Sequence, residues 1–148
     1  MWRKILITLV LILGVTWLFG FFIKESMTTS LVETVKIKEQ YEDFIVHVRI
    51  EETTEGFQVL RSLEYIGEEE VEIKHRTPLT QVTFTKDNGT FTGSHVQNTL
   101  KPGYSYHPQQ PLHMSPLNKG RHTVYIHSQF MVDGKEVNIK GQGTIVFE

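Results

Sequence analysis

Apolar residues recur at every second position in several short stretches of the chain, which is the period of a half-buried β-strand. Residues Phe44–Ile50 follow this period, because phenylalanine, two valines and an isoleucine alternate there with mostly polar residues. Val71–Lys74 and His122–Val132 follow the same period. In residues 57–65 the phase is disturbed, and one explanation is a β-bulge near Leu60–Arg61.

Turn residues divide this pattern into strands. Asn88-Gly89 and Asp133-Gly134 stand between alternating runs and predict two-residue hairpin turns, because both central residues of such a turn need a positive φ. The first hairpin would join a strand ending near Phe84 to one over residues 91–99. Pro78 would end the preceding strand, which contains Val71, or mark it as an edge strand. The pattern contains about seven or eight strands and no amphipathic helix, so it predicts an all-β fold, an antiparallel β-sandwich.

A different pattern opens the chain. Ile5–Ile23 is a run of 19 residues without a charge, and Arg3 and Lys4 precede it. At ~1.5 Å per residue, a helix of this length spans roughly 28 Å, close to the thickness of the hydrocarbon core of a bilayer. We therefore expect residues 1–24 to form an N-terminal transmembrane helix, a signal-anchor whose partner is the lipid bilayer through residues 5–23.

The charges beside this run predict its orientation. Basic residues precede it, whereas Lys24 follows it and is offset by Glu25, so the positive-inside rule places the N-terminus in the cytoplasm. The rest of the chain would then lie outside the cytoplasm, at the cell membrane of a bacterial envelope. A cleaved signal peptide is the alternative, although the run is long for one and ends in bulky aromatic residues.

Residues 25–42 follow the apolar run and have a mixed character. Their sequence, which includes "SLVETVKIKEQ", fits either a helical stem or a first strand, and we interpret it as a linker or stem. The extracytoplasmic β-sandwich would then occupy residues 43–148.

Composition narrows the function classes. The chain has no cysteine, which excludes disulfides, thiolate metal sites and a cysteine nucleophile. Residues 31–148 carry 12 basic and 16 acidic side chains, so no overall basic field favours nucleic acid or an anionic lipid surface as a partner.

Residues Leu117–Ile126, "LNKGRHTVYI", resemble the corner that opens the penultimate strand of immunoglobulin-like and fibronectin-III-like domains. In those domains a tyrosine hydroxyl bonds back to the corner backbone, and His122 stands at the matching position here. The order "YIGEEEVEI", "LKPG" and "LNKGRHTVYIHSQF" is similar to that of bacterial sandwiches of the intracellular-proteinase-inhibitor type, over residues 57–147. The resemblance implies an Ig-like fold, and no residue here matches an inhibitory site.

The stretch "SYHPQQPLHMSPL", Ser105–Leu117, offers the candidate metal ligands His107, His113 and Met114. Imidazole and thioether groups suit copper, and imidazole also suits zinc, but a site needs two to four ligands within ~2.0–2.3 Å of the ion. A third ligand would have to come from the body of the domain. The alternative is a stiff connecting loop whose prolines restrict φ.

No catalytic constellation stands out. The chain lacks HExxH and G-x-S-x-G motifs, and the acidic run Glu68–Glu72 lacks the order of a calcium loop and is interpreted as a solvated turn. The sequence therefore predicts a non-enzymatic protein without a cofactor, which binds a protein or another component of the cell envelope or serves as an accessory subunit at the membrane. Two alternatives are an exported copper- or zinc-binding domain and an extracytoplasmic protease inhibitor that presents the proline-rich loop.

Overall fold

A computed structural model describes Gly14, residues 29–85 and residues 89–148, so most of the apolar run Ile5–Ile23 lies outside the described residues. Within the described part of the chain, no helix is long and apolar enough to cross a membrane. The strands found there are β1 (Val35–Tyr41), β2 (Phe44–Thr53), β3 (Gly56–Tyr65), β4 (Val71–Thr83), β5 (His95–Leu100), β6 (Ser105–Tyr106), β7 (Leu112–Met114), β8 (Gly120–Val132) and β9 (Lys135–Phe147).

The strands form two antiparallel sheets. In the first sheet the order is β1-β2-β3, and β6 and β7 both pair with the far edge of β3. In the second sheet the order is β5-β4-β8-β9. The buried apolar cluster draws its side chains from both sheets. The all-β class is therefore confirmed, with two antiparallel sheets packed as a β-sandwich requires.

The inward phase predicted for β2 and β8 is confirmed. The residues that share this phase and are buried are Phe44, Val46, Val48, Ile50, Val124, Ile126, Ser128 and Phe130. Burying one aliphatic or aromatic side chain of this size contributes ~1.5–3 kcal/mol, so these two strands supply a large part of the core.

The bulge predicted near Leu60–Arg61 is absent. The two strands β2 and β3 pair in one continuous register, so the phase of β3 is unbroken. Arg61 takes an inward position in that phase, because its guanidinium donates hydrogen bonds to the carbonyl oxygens of Thr80 and Gln110. Leu60 is the residue that faces outward, which explains why the apolar pattern was disturbed there.

The pairing predicted for the first hairpin was wrong. Strand β4 continues through Pro78 to Thr83 instead of ending at the proline. Strand β5 pairs with residues 71–76 of β4 and not with the stretch near Phe84. The connection between the two strands is therefore longer than a two-residue turn, and its Asp87-Asn88 lies outside the described residues.

The second predicted hairpin is confirmed. Strands β8 and β9 pair along their whole length, with Asp133 and Gly134 between them. Their φ angles are 49° and 75°, and a type I′ turn requires positive values at both positions.

Part of the segment interpreted as a linker is strand. Val35–Tyr41 form β1 beside β2, and Leu31 pairs with Phe147 at the end of β9. The inner face of β1 crosses the end of β9, where Gly141 and Gly143 leave room for side chains of β1. The sandwich therefore begins before residue 43. The segment mixes apolar residues with lysine, glutamate and threonine, which is why its pattern left helix and strand open.

A histidine and a tyrosine join the two sheets. The Tyr106 hydroxyl on β6 donates to Nε2 of His75 on β4 at 3.0 Å, while Nδ1 of His75 donates to the carbonyl oxygen of Arg76 at 2.8 Å. Tyr65 is buried and Tyr106 is partly buried, and the Tyr65 hydroxyl donates to the carbonyl oxygen of Glu69 at 2.8 Å. Burial raises the pKa of both tyrosine hydroxyls above the ordinary value.

These two tyrosines predict a loss of stability in alkali. As the pH rises above about 10, the unfolded chain loses their protons before the folded chain does, so the free energy of unfolding decreases. Urea denaturation at about pH 8 and about pH 10.5 measures this decrease. The double variant Tyr65→Phe/Tyr106→Phe will show a smaller decrease, and Tyr41→Phe, which changes an exposed tyrosine, will not. An equal decrease in all three proteins would contradict this explanation.

Candidate functional site

A groove of 450 Å³ crosses the outer face of the first sheet. Strand pairing builds its two walls as rows of side chains. The first row consists of Lys36, Arg49 and Leu60, and the second row of Lys38, His47 and Ser62. The rows are two residues apart along the strands, which corresponds to a separation of about 7 Å. The backbone of Ile37, Val48 and Arg61 lies between them, and His107 lies beyond β3 at one end. We call this the cross-strand groove.

The cross-strand groove is basic. No carboxylate is among the described residues that line it. Arg49 forms an ion pair with Glu51, and Nε2 of His47 lies 2.6 Å from a carboxylate oxygen of Glu64. These two contacts partly neutralise the positive charge of each wall. No ion pair joins Lys36 or Lys38 to another described residue. The two lysines are therefore the charges most available to a ligand.

The proline-rich loop after β6 holds His107 at the end of this groove. The amide of Gln109 makes two hydrogen bonds with the backbone of Thr80: its Nε2 donates to the carbonyl oxygen and its Oε1 accepts from the N–H, both at 2.9 Å. Arg61 donates to the carbonyl oxygen of Gln110 at 2.8 Å. Burial lowers the pKa of the Arg61 guanidinium, which remains charged. These contacts tie the loop to both sheets.

The three candidate metal ligands lie in different places. His107 lines the cross-strand groove, whereas His113 and Met114 line a separate pocket of 360 Å³ beside the turn between β2 and β3. His113 and Met114 are neighbours on β7, so their side chains leave opposite faces of the strand, and Met114 packs against the core. In the described part of the chain, no group of three or more histidine, aspartate or glutamate side chains could hold a metal.

A smaller cavity of 220 Å³ lies on the outer face of the second sheet. Its lining combines the basic residues Lys74, Arg76 and His95 with the carboxylate of Glu136. Charges of both signs are present there, so it does not favour an anion as the cross-strand groove does. We therefore take the cross-strand groove as the candidate functional site.

Sequence reasoning missed the basic residues of the groove. Lys36 and Lys38 fell in the presumed linker, and Arg49 was interpreted only as an outward position of a strand. A signal was present, because residues 36–38 and 47–49 both place basic side chains two positions apart, on one face of a strand. Only the antiparallel register between β1 and β2 brings the two pairs side by side.

The sequence matches no family model, and no curated protein and no solved structure is significantly similar to the chain. The geometry and charge of the chain itself are therefore the basis for assigning a function.

Proposed function

We propose that this protein is a non-catalytic binding domain, held at the outer side of the cell membrane by Ile5–Ile23, and that its cross-strand groove binds an anionic ligand. The observation that carries this proposal is that each of the two rows contains two basic side chains, with no carboxylate among the described residues that line the groove. It lies on a domain in which acidic residues outnumber basic ones, so the basic groups are concentrated locally. Such a concentration attracts a ligand of opposite charge and speeds its association.

We propose further that the sandwich is of the immunoglobulin-like type. The penultimate strand, β8, lies between β4 and β9, and the chain returns to β3 through β6 and β7. At the corner before β8, Nε2 of His122 donates to the carbonyl oxygen of Asn118 at 2.6 Å. A tyrosine hydroxyl makes the equivalent contact in immunoglobulin-like domains, so the histidine supports the resemblance noted in the sequence.

Reversing two charges in the groove will test its role in binding. The full chain is placed in phosphatidylcholine nanodiscs and titrated by calorimetry with dextran sulfate, and with neutral dextran as the uncharged reference. We expect the protein to bind dextran sulfate and not neutral dextran. The double variant Lys36→Glu/Lys38→Glu should lower the affinity for dextran sulfate about 100-fold, because two attractive contacts become repulsive. The affinity of the unchanged protein will also decrease as salt is raised, since the contacts are exposed.

A matched control separates local from overall charge. Lys119→Glu/Lys135→Glu changes the net charge by the same amount at two exposed lysines outside the groove. This variant should retain affinity within about threefold of the unchanged protein, because screening weakens its distant charges. If the two double variants lose the same affinity, or if dextran sulfate does not bind at all, the groove is not the site.

A further inference from the structure

We propose that the ligand of the cross-strand groove is a linear phosphate polymer that lies across the strands, from β1 to the proline-rich loop. This inference rests on the proposed function and names the chemical class of the ligand. Three features of the groove lead to it: its length, its narrow width and the state of the backbone that forms its floor.

The length of the groove favours a polymer over a single anion. It crosses β1, β2 and β3 and continues to His107 beyond the third strand. Neighbouring strands are ~4.8 Å apart, so three such steps cover about 14 Å. Lys36, Lys38 and Arg49 lie at the β1–β2 end of that distance, and His107 lies at its other end. One phosphate could contact only part of this series.

The width of the groove favours a chain that carries charge on its own backbone. The two walls are rows of side chains whose strand positions are about 7 Å apart. A phosphate polymer brings its anionic oxygens to both walls without side branches, and each phosphate offers several acceptors to lysine and arginine donors. An acidic peptide holds its carboxylates on side chains that project several ångströms from its backbone, so its backbone itself brings no charge to the two walls.

The floor of the groove also disfavours a peptide. Residues 37, 48 and 61 belong to paired strands, and β2 lies between β1 and β3, so its backbone groups on both edges are engaged by its neighbours. An extended peptide normally binds at a free sheet edge, where main-chain hydrogen bonds contribute affinity. A groove across the face of a sheet provides no such bonds. It suits a ligand that is held by charge and by side-chain donors such as the Ser62 hydroxyl.

A length series of phosphate polymers will test the inference in the full chain, reconstituted in phosphatidylcholine nanodiscs. We expect long-chain inorganic polyphosphate to bind at least about tenfold more tightly than tripolyphosphate at equal phosphate concentration, because it reaches the whole groove. Poly-L-glutamate of equal charge should bind at least about tenfold more weakly than long polyphosphate. His107→Ala should weaken long polyphosphate about threefold and leave tripolyphosphate unchanged, since His107 lies at the far end. His113→Ala, which removes a loop histidine outside the groove, should change neither ligand.

Each other outcome overturns a defined part of the inference. Equal affinity for tripolyphosphate and the long polymer would mean a single-anion site, and equal affinity for poly-L-glutamate would mean that phosphate is not selected. In both cases the proposed binding of an anion at the groove stands. If dextran sulfate fails to bind as well, the proposed function fails with the inference. If phosphatidylglycerol headgroups bind at Lys36 and Lys38 in place of long polyphosphate, lipid headgroups occupy the groove and the polymer is excluded.

Discussion

Gly56→Ala will destabilise the domain by about 3 kcal/mol or more. Gly56 begins β3 at a φ of 150°, a backbone conformation that residues with a side chain rarely adopt. A Cβ at this position would overlap the carbonyl oxygen of Met114 and would lie 3.1 Å from the ring of Pro116. The backbone of β7 would have to move away from β3, and β7 leads directly from the loop that holds His107. The variant therefore strains the turn and separates two strands at once.

Urea denaturation of the variant measures the loss, and Gly103→Ala is the matched control. Gly103 also has a positive φ, of 74°, but nothing lies within 4 Å of a Cβ built there. Its replacement should lower the free energy of unfolding by about 1 kcal/mol, the cost of placing alanine at a positive φ. Equal losses in the two variants would show that the close approach of Met114 has no energetic importance, and that φ alone matters at both glycines.

The sequence correctly predicted which residues point inward on the strands that have one apolar and one polar face. On β2 and β8 this contrast is strong, because burial of valine, isoleucine and phenylalanine determines which face points inward. On β3 the inward position of Arg61 breaks the contrast, and the sequence suggested a bulge where none exists. The guanidinium is tolerated there because backbone carbonyl oxygens of β4 and of the proline-rich loop accept its hydrogen bonds. Those partners are distant in sequence, so no local pattern could reveal them.

The hairpins illustrate a second limit. Asp133-Gly134 was predicted correctly, because the two strands that flank the turn also pair with each other. The same reasoning failed at Asn88-Gly89, since β5 pairs with the first half of β4, on the far side of Pro78. A dipeptide signal indicates where a chain can turn. The length of the strand before it, and the register of the pairing, depend on contacts that the dipeptide does not contain.

The candidate site was hidden for a related reason. The overall charge of residues 31–148 is acidic, and that argued against nucleic acid or an anionic lipid surface as a partner. Net charge is a sum over the whole surface, whereas a ligand responds to the potential of one groove. Lys36 and Lys38 acquire their neighbours Arg49 and His47 only through the register of β1 with β2. The sequence instead offered the two histidines of the proline-rich loop as candidate ligands of a metal. The structure places one of them, His107, in the groove and the other, His113, in a separate pocket.

The proposed membrane anchor predicts an all-or-none change in localisation. In a bacterial host, the full chain should remain in the membrane pellet after extraction with alkaline carbonate. Leu11→Asp/Leu13→Asp places two acids in the middle of the apolar run, where each costs ~2.5–3.5 kcal/mol on insertion, so this variant should leave the membrane fraction. Leu11→Ala/Leu13→Ala keeps the run apolar and should stay in the pellet. Equal fractions of the two variants in the pellet would contradict an anchor formed by Ile5–Ile23.

The same cells test the orientation of the chain and the cleaved alternative. A tag is fused after Glu148, and protease is added to spheroplasts, whose cell membrane is intact. The tag should be digested, because the positive-inside rule places the sandwich outside the cytoplasm. If the tag is digested only after the membrane is permeabilised, the orientation is the opposite of the one proposed, and the groove faces cytoplasmic anions. A mature chain that begins near Ser30 in the medium would identify residues 1–30 as a cleaved signal. In that case Leu31, which pairs with Phe147, would start a secreted domain whose groove meets only soluble ligands.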